Sequence, residues 1–153
     1  MRSRSGRLEL LYRVTGDVAA LRLPPLSASV RADGLWQHSC FEAFVRPGEA
    51  EAYHEFNFAP STEWAAYSFA GYRAGRTDAP IAPPEIEVEG ADGFVLRATL
   101  DLPDLDGAPW HLNLTAVIEQ RDGTKSYWAL AHPPGDPDFH NGDCFALTLP
   151  PAS

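Results

Sequence analysis

The sequence predicts an all-β protein, and three observations indicate this fold class. The 153 residues include 14 Pro and 12 Gly, which implies many turns between short elements. Apolar and polar residues alternate along several short runs, and no stretch keeps a helical period over three turns. About nine short strands favour an antiparallel β-sandwich of jelly-roll or immunoglobulin-like type. We expect residues 1–153 to form a single domain of this kind.

Turn residues divide much of the chain into predicted hairpins. The turn Thr15-Gly16-Asp17 joins the first pair of strands, and Asp122-Gly123 joins the last pair. The three predicted hairpins are LELLYRV with VAALRLP, IEVE with FVLRATLDL, and residues 110–119 with SYWALAH. Residues 74–85 are a Pro-rich loop, and the irregular loop HPPGDPDFHNGD precedes a final strand CFALTLP.

Residues 35–73 hold most of the unusual side chains and are predicted to form three consecutive antiparallel strands. The strands lie at about 40–45, 52–58 and 64–69, separated by Pro47-Gly48 and by Pro60-Ser61-Thr62. Two-residue periodicity places the acidic and amide side chains Glu42, Glu55 and Asn57 on faces opposite those of Phe41, Phe56 and Phe58. Periodicity alone leaves open which of the two faces is buried.

The outward and inward faces are easier to assign in residues 110–119. Alternation predicts Trp110, Leu112, Leu114, Ala116 and Ile118 inward, with His111, Asn113, Thr115 and Glu119 outward.

Charge and composition exclude several classes of partner. The formal net charge is −9, and residues 1–31 carry six Arg against Glu9 and Asp17, which leaves −13 on the remainder. An acidic surface of this size argues against nucleic acid or an anionic membrane as partner. Residues 1–30 hold no apolar stretch of signal-peptide length, so we expect a cytoplasmic protein. Cys40 and Cys144 are then expected to be free thiols.

Three segments together resemble bacterial DOMON-like proteins related to family 9 carbohydrate-binding modules. The segments are LWQHSCFEAFV, YHEFNFAPSTEWAAYSFAGYR and TAVIEQRDGTKSYWALAHPPGDPDFHNGDCFALTL. The resemblance covers roughly Leu8 to Leu149 and implies a β-sandwich. It also implies a ligand-binding module rather than an enzyme, because relatives bind sugars between aromatic side chains or bind haem.

Flat aromatics beside polar groups are the side chains that a sugar ring requires, because the ring offers apolar C–H faces and a rim of hydroxyls. The candidate stacking residues are Trp36, Trp64, Tyr67 and Trp128. The candidate polar contacts are Glu42, Glu55, Asn57 and Arg73. We therefore expect a non-catalytic module that binds a carbohydrate or glycoside and needs no cofactor.

Two other function classes stay open. Glu42 and Glu55, if direct neighbours across two strands, would lie about 5 Å apart, the separation of a retaining glycoside hydrolase. An exposed apolar sheet face or edge would instead indicate a protein-interaction module.

Metal and haem sites are further alternatives. His132, Asp138, His140 and Asp143 crowd one loop, but their spacing fits no established zinc pattern. The resemblance implies calcium as another possible ion, since some relatives bind it. We prefer the reading in which Asp138 and His140 form hydrogen bonds that fix the loop. Haem would need Met1 with a histidine, or two histidines facing one pocket.

Overall fold

In the computed structural model, which describes residues 6–90, 93–102, 105 and 107–151, the chain forms two antiparallel sheets. The strands are β1 (Arg7–Val14), β2 (Cys40–Pro47), β3 (Tyr53–Phe58), β4 (Trp64–Phe69), β5 (Thr77–Asp78), β6 (Glu85–Glu89), β7 (Phe94–Asp101), β8 (Trp110–Glu119), β9 (Lys125–Ala129) and β10 (Leu147–Leu149). The smaller sheet has the order β1-β7-β6, and the larger has the order β10-β8-β2-β3-β4-β5, with β9 also paired to β8. The predicted all-β sandwich is confirmed, with ten strands among the described residues.

The main core lies between the two sheets. The smaller sheet contributes alternating residues of β1 and β7, and the larger sheet contributes the Phe41 face of β2. Phe41 stacks on Phe94 across the interface with 5.6 Å between ring centroids. The Tyr12 hydroxyl donates a 2.6 Å hydrogen bond to the backbone carbonyl of Glu42 and so links the sheets through a polar contact as well.

The opposite face of the larger sheet, here called the outer face, is also buried over its central strands. All six residues from Cys40 to Val45 are buried, so both faces of β2 are covered. The prediction that Asn113, Thr115 and Glu119 point to solvent is wrong, because they lie buried on this outer face. The predicted alternation along β8 is confirmed, but a second layer packs on the outer residues.

That second layer comes largely from the segment 130–146. The side of β8 away from β2 is shared by two strands, with β9 opposite Thr115–Glu119 and β10 opposite Trp110–Leu112. Between these strands the chain leaves the sheet and crosses the outer face, where Phe139 and His140 contact the ring of Phe44. The short turn Leu35–Gln37 covers another part of the same face.

Three sequence predictions need correction. VAALRLP is not a strand, because Val18–Ala20 is a 3-10 turn and Leu21 makes a single bridge to Gln120. β1 pairs instead with β7 over eight residues, which aligns two long alternating patterns. The loop 74–85 contains the two-residue strand β5, and the last strand is shortened to β10 by a 3-10 turn at Gly142–Cys144. The β6–β7 and β8–β9 pairings are confirmed.

No helix within the described part of the chain is long and apolar enough to span a membrane.

Arg31 fixes the long connection between β1 and β2 against the larger sheet. Its Nη1 and Nη2 donate to the carbonyls of Ala66 (2.9 Å) and Ala79 (2.7 Å), and its guanidinium lies 4.5 Å from the ring centre of Trp64. Charged donors to backbone carbonyls are among the stronger hydrogen bonds in proteins. This side chain therefore joins the connection, β4 and the start of the β5–β6 loop.

We predict that Arg31→Ala lowers the free energy of unfolding by about 2–4 kcal/mol, because two charged hydrogen bonds and a cation–π contact are lost. Arg31→Lys should retain only part of this stabilisation, since one ammonium group cannot reproduce the planar, forked hydrogen bonding of a guanidinium. Urea unfolding measures this loss as a lower midpoint, and the m-value should stay unchanged. The exposed Arg13→Ala is the control and should change stability by less than about 0.5 kcal/mol. Equal effects of Arg31→Ala and Arg13→Ala would contradict the assigned role.

Candidate functional site

A cavity of about 660 Å³ opens on the outer face of the larger sheet. Its size lies within the range of small-molecule sites, roughly 300–1,000 Å³. The central strands supply the floor, the segment 130–146 and the turn Leu35–Gln37 supply the walls, and the loop after β4 with β9 supplies the rim. The lining residues are Trp36, Gln37, Glu42, Glu55, Phe69, Arg73, Arg76, Val117, Lys125, Tyr127, Pro137, Phe139 and His140.

Two buried carboxylates occupy the floor. Glu42 is 2% exposed and Glu55 is 6% exposed, and both line the cavity. In the ladder Glu42 pairs with Asn57 while Glu55 pairs with Phe44, so the two acids are diagonal neighbours. Direct pairing of Glu42 with Glu55 is therefore contradicted, since diagonal positions lie about 7–8 Å apart.

Burial raises the pKa of both carboxyl groups. For Glu42 desolvation and the charge of Glu55 raise the pKa to about 8, against a hydrogen bond from the Thr115 hydroxyl at 3.2 Å. For Glu55 desolvation raises the pKa to about 7, with Asn57 and the guanidinium groups of Arg76 and Arg73 acting in the opposite direction. The floor consequently holds carboxylic protons near neutral pH.

Asn57 lies beside these acids on the same face and is fully buried. It is close enough to Glu55 to favour the charged carboxylate. Neither its amide nitrogen nor its amide oxygen makes a hydrogen bond of good geometry with the described residues. A buried amide without a well-formed hydrogen bond therefore lies beside the two acids, on the same face of the sheet.

An aromatic cluster supports one wall of the cavity. Phe44, Tyr53 and Phe69 on the outer face pack with Phe145, and Tyr53 stacks on Phe69 at 4.9 Å between centroids. His140 inserts its ring edge against Phe44 and Phe69, at 4.9 and 5.1 Å. This packing orders the wall and leaves Phe69 and His140 facing the cavity.

Hydrogen bonding orients the His140 imidazole. The Tyr53 hydroxyl accepts from the backbone N–H of Arg73 at 3.1 Å and lies 2.7 Å from His140 Nδ1. It can therefore donate its proton to Nδ1, which places the imidazole proton on Nε2, 3.8 Å from the Glu55 carboxylate. Burial, assisted by the charge of Arg73, lowers the pKa of His140 to about 4, so the ring is neutral at pH 7.

Three cations mark the rim. The Arg73 Nη2 lies 2.9 Å from Asp138, which also accepts from the Tyr72 hydroxyl, and the Lys125 Nζ lies 3.9 Å from Glu119. The Arg76 guanidinium lies 4.8 Å from the ring centre of Tyr67. These contacts position cationic groups around the opening.

A tight turn after β4 carries two of these cations. Arg73 has a φ of 50°, and Gly75 has a φ of 68°. A Cβ at Gly75 would lie 2.8 Å from the Cβ of Ala70, so both backbone conformation and space require glycine there. The turn also brings the Arg73 N–H onto the Tyr53 hydroxyl.

Six of the eight residues predicted from the sequence lie on this side of the larger sheet. Trp36, Glu42, Glu55 and Arg73 line the cavity. Asn57 and Tyr67 lie behind that lining, where the Tyr67 hydroxyl donates a 2.6 Å hydrogen bond to Asp33 and its ring meets Trp36 edge to face at 6.4 Å.

Trp64 and Trp128 do not belong to the cavity. Trp64 pairs with Phe58 and packs in the core between the sheets, because it has the parity of the inner face. Trp128 pairs with Ala116 on that inner face too, near the edge, and is 63% exposed. It lines a second groove of about 650 Å³ with Leu11 and Leu130, away from the acids.

Several lining residues were not predicted from the sequence. Tyr127 pairs with Val117 on the outer face. The two-residue period that places Trp128 on the inner face therefore places the adjacent Tyr127 on the face of the cavity. Phe69 lies two residues after Tyr67 in β4, so the same two-residue period predicts it on the same face. Phe139 lies in an irregular loop without periodicity, so only the three-dimensional structure brings it to the wall.

The crowded loop does not form a metal site within the described residues, since no three His, Cys, Asp or Glu side chains converge there. Asp138 accepts hydrogen bonds from Arg73, Tyr72 and the backbone of His140, while His132 contacts the ring of Phe139. The Asn141 side-chain oxygen accepts a hydrogen bond from the Asp143 N–H and so caps the 3-10 turn Gly142–Cys144. Of the five histidines, all described, only His140 lines the cavity, and Met1 lies outside the described residues.

Comparison of the chain with protein-family models, with curated proteins and with solved structures found no match.

The raised carboxyl pKa values predict that the free energy of unfolding decreases as pH rises. The native state holds protons on Glu42 and Glu55 that the unfolded chain has released, so unfolding becomes easier as pH rises from about 4.5 to about 8. Glu42→Gln should therefore be more stable than the parent at pH 8 by about 2–4 kcal/mol and should depend less on pH. Urea unfolding across pH 4.5–8.5 measures this difference.

Glu87→Gln is the matched control, because Glu87 is exposed on the smaller sheet and the substitution removes the same charge. Parallel stability curves for Glu42→Gln and the parent would rule out a native carboxylic proton at Glu42.

Proposed function

We propose that the chain is a non-catalytic binding module for a small carbohydrate or glycoside, held in the outer-face cavity. The observation that carries this proposal is the combination, in one cavity of about 660 Å³, of a polar buried floor with aromatic walls. Such a cavity is large enough for a small ligand to lose most of its contact with water.

The chemistry of the lining fits the two surfaces of a sugar ring. Trp36, Phe69 and Phe139 offer apolar rings against which C–H faces can pack. Glu42 and Glu55 offer oxygens for ligand hydroxyl groups, and Arg76 on the rim can donate to hydroxyl oxygens. Each type of ligand atom therefore finds a complementary partner without a metal or a cofactor.

The walls are held in place before any ligand enters. Asp138 ties the segment 130–146 to Arg73 and Tyr72, and His140 ties it to Tyr53. A wall ordered by these contacts needs little further ordering on binding, which favours affinity. The proposed ligand therefore meets a preformed site.

The family relationship and the location belong to this proposal. A DOMON-like domain related to family 9 carbohydrate-binding modules is a β-sandwich whose function is ligand binding, in keeping with the cavity. The buried free thiols Cys40 and Cys144 are compatible with a reducing compartment and support a cytoplasmic location.

A glycoside hydrolase is the second candidate, because the raised carboxyl pKa values are typical of catalytic acids. The diagonal arrangement of Glu42 and Glu55 is wider than the roughly 5 Å of retaining hydrolysis, so a hydrolase using these acids would be of the inverting type, whose carboxyl groups lie roughly 6.5–9.5 Å apart. Incubation with chromogenic aryl glycosides tests this directly. We expect binding without turnover, and turnover abolished by Glu42→Gln would establish the hydrolase instead.

Trp36 provides a direct optical test of sugar binding. Of the four Trp, all within the described residues, only Trp36 lines the cavity, and it is 38% exposed. A bound sugar should therefore change tryptophan emission, and Trp36→Ala should weaken binding roughly 3–10-fold through lost stacking. Fluorescence titration and calorimetry against mono- and oligosaccharides measure the two effects.

Trp128→Phe is the control, since Trp128 is more exposed than Trp36 but lies in the other groove. It should retain the emission change, whereas Trp36→Phe should lose it and keep most of the affinity. An absence of heat and of emission change with every sugar would overturn the proposed function.

A further inference from the structure

The cavity floor carries two carboxyl groups that form no ion pair with an Arg or Lys side chain among the described residues. Among the described residues, the Glu42 carboxyl group accepts one side-chain hydrogen bond, from the neutral Thr115 hydroxyl. The closest basic group to Glu55 in an ion-pair contact is His140 Nε2 at 3.8 Å, on a ring that is neutral at pH 7. Both carboxyl groups are more than nine-tenths buried and line the cavity.

Other carboxylates on the same face are neutralised by the protein itself. Glu119, 4% exposed, has Arg22 Nε at 3.6 Å, Lys125 Nζ at 3.9 Å and His38 Nδ1 at 3.2 Å. Asp138 has Arg73 Nη2 at 2.9 Å. Unlike Glu119 and Asp138, Glu42 and Glu55 therefore face a cavity and have no Arg or Lys ion-pair partner among the described residues.

On the basis of the proposed sugar-binding function, we propose that the ligand is an amino sugar whose free ammonium group lies between Glu42 and Glu55. An ammonium group supplies three donors and one positive charge, which matches two buried carboxylates. The aromatic walls at Trp36, Phe69 and Phe139 add favourable cation–π contacts. The ligand hydroxyl groups then face the cationic rim, where Arg76 and Lys125 donate.

The remaining titratable groups near the two acids are compatible with this arrangement. Burial raises the pKa of Cys40, Tyr53 and Tyr67, so all three stay neutral, and Tyr12 behaves likewise from the inner side of the sheet. Arg73 and Arg76 act on Glu55 from the rim but make no ion pair with it in the described structure. The floor is thus the part of the described cavity lining where carboxyl groups are concentrated.

A series of sugars that differ only at C2 tests the inference. Glucose, N-acetylglucosamine and glucosamine, with their β-1,4-linked dimers and trimers, present hydroxyl, acetamide and ammonium groups on one scaffold. Calorimetry at pH 7 should show the ammonium series binding at least about tenfold more tightly, an effect of about 1.4 kcal/mol. Glu42→Gln and Glu55→Gln should each remove this preference, while the exposed Glu87→Gln should leave it unchanged.

Proton release distinguishes the ammonium contact from a general loss of structure. An ammonium ion between the carboxyl groups lowers their pKa and expels their proton, so binding enthalpy should depend on the ionisation enthalpy of the buffer. Glucose should show no such dependence.

Equal affinity across the three series, with heat independent of buffer, would overturn the amino-sugar assignment and leave sugar binding intact. Binding by no member of any series would overturn both proposals together.

Discussion

The burial of the larger sheet on both faces is the constraint on which the rest of the structure depends. A strand with one covered face can place charged groups in water, but the central strands β2, β3 and β8 have no such face. Polar side chains at outer positions are then stabilised by a partner or by an opening into a cavity, and Asn57, which has neither among the described residues, stays an unsatisfied buried amide. Glu119 forms ion pairs with cations, whereas Glu42 and Glu55 open into the cavity.

The cavity therefore arises where the second layer is incomplete. Phe139, His140 and Phe145 cover the Phe44 end of the outer face, and Trp36 covers the Tyr67 end. Between them the layer leaves the acids accessible. The cost of desolvating two carboxyl groups is tolerated because they hold protons near neutral pH, as expected of acids deprived of water.

Two-residue periodicity made much of the fold predictable from sequence. It gave the alternation along β7 and β8 and the shared face of Glu42, Glu55 and Asn57 correctly. It also places Trp64 and Tyr67 on opposite faces of β4, so the two rings could not both line one site. Aromatic character had outweighed parity in that prediction.

Other features depend on relations that periodicity does not carry. The diagonal placement of Glu42 and Glu55 is a matter of register, which turn geometry and packing fix together. The partner of β1 is β7, more than eighty residues away, and no local turn signal specifies it. The burial of Asn113 and Thr115 follows from a loop whose path has no repeating pattern.

The edge of β8 that β9 and β10 share separates the cavity wall in residues 130–146 from the central sheet. β9 and β10 pair with different parts of the same edge of β8. The described segment between them contributes aromatic rings to the cavity but no strand to the larger sheet. Loops of this kind accept changes of sequence and length more readily than strands do. Changes in residues 130–146 would therefore alter the cavity lining while the acidic floor and the sheet stayed constant. Specificity and foldability would then evolve at separate positions of one small domain.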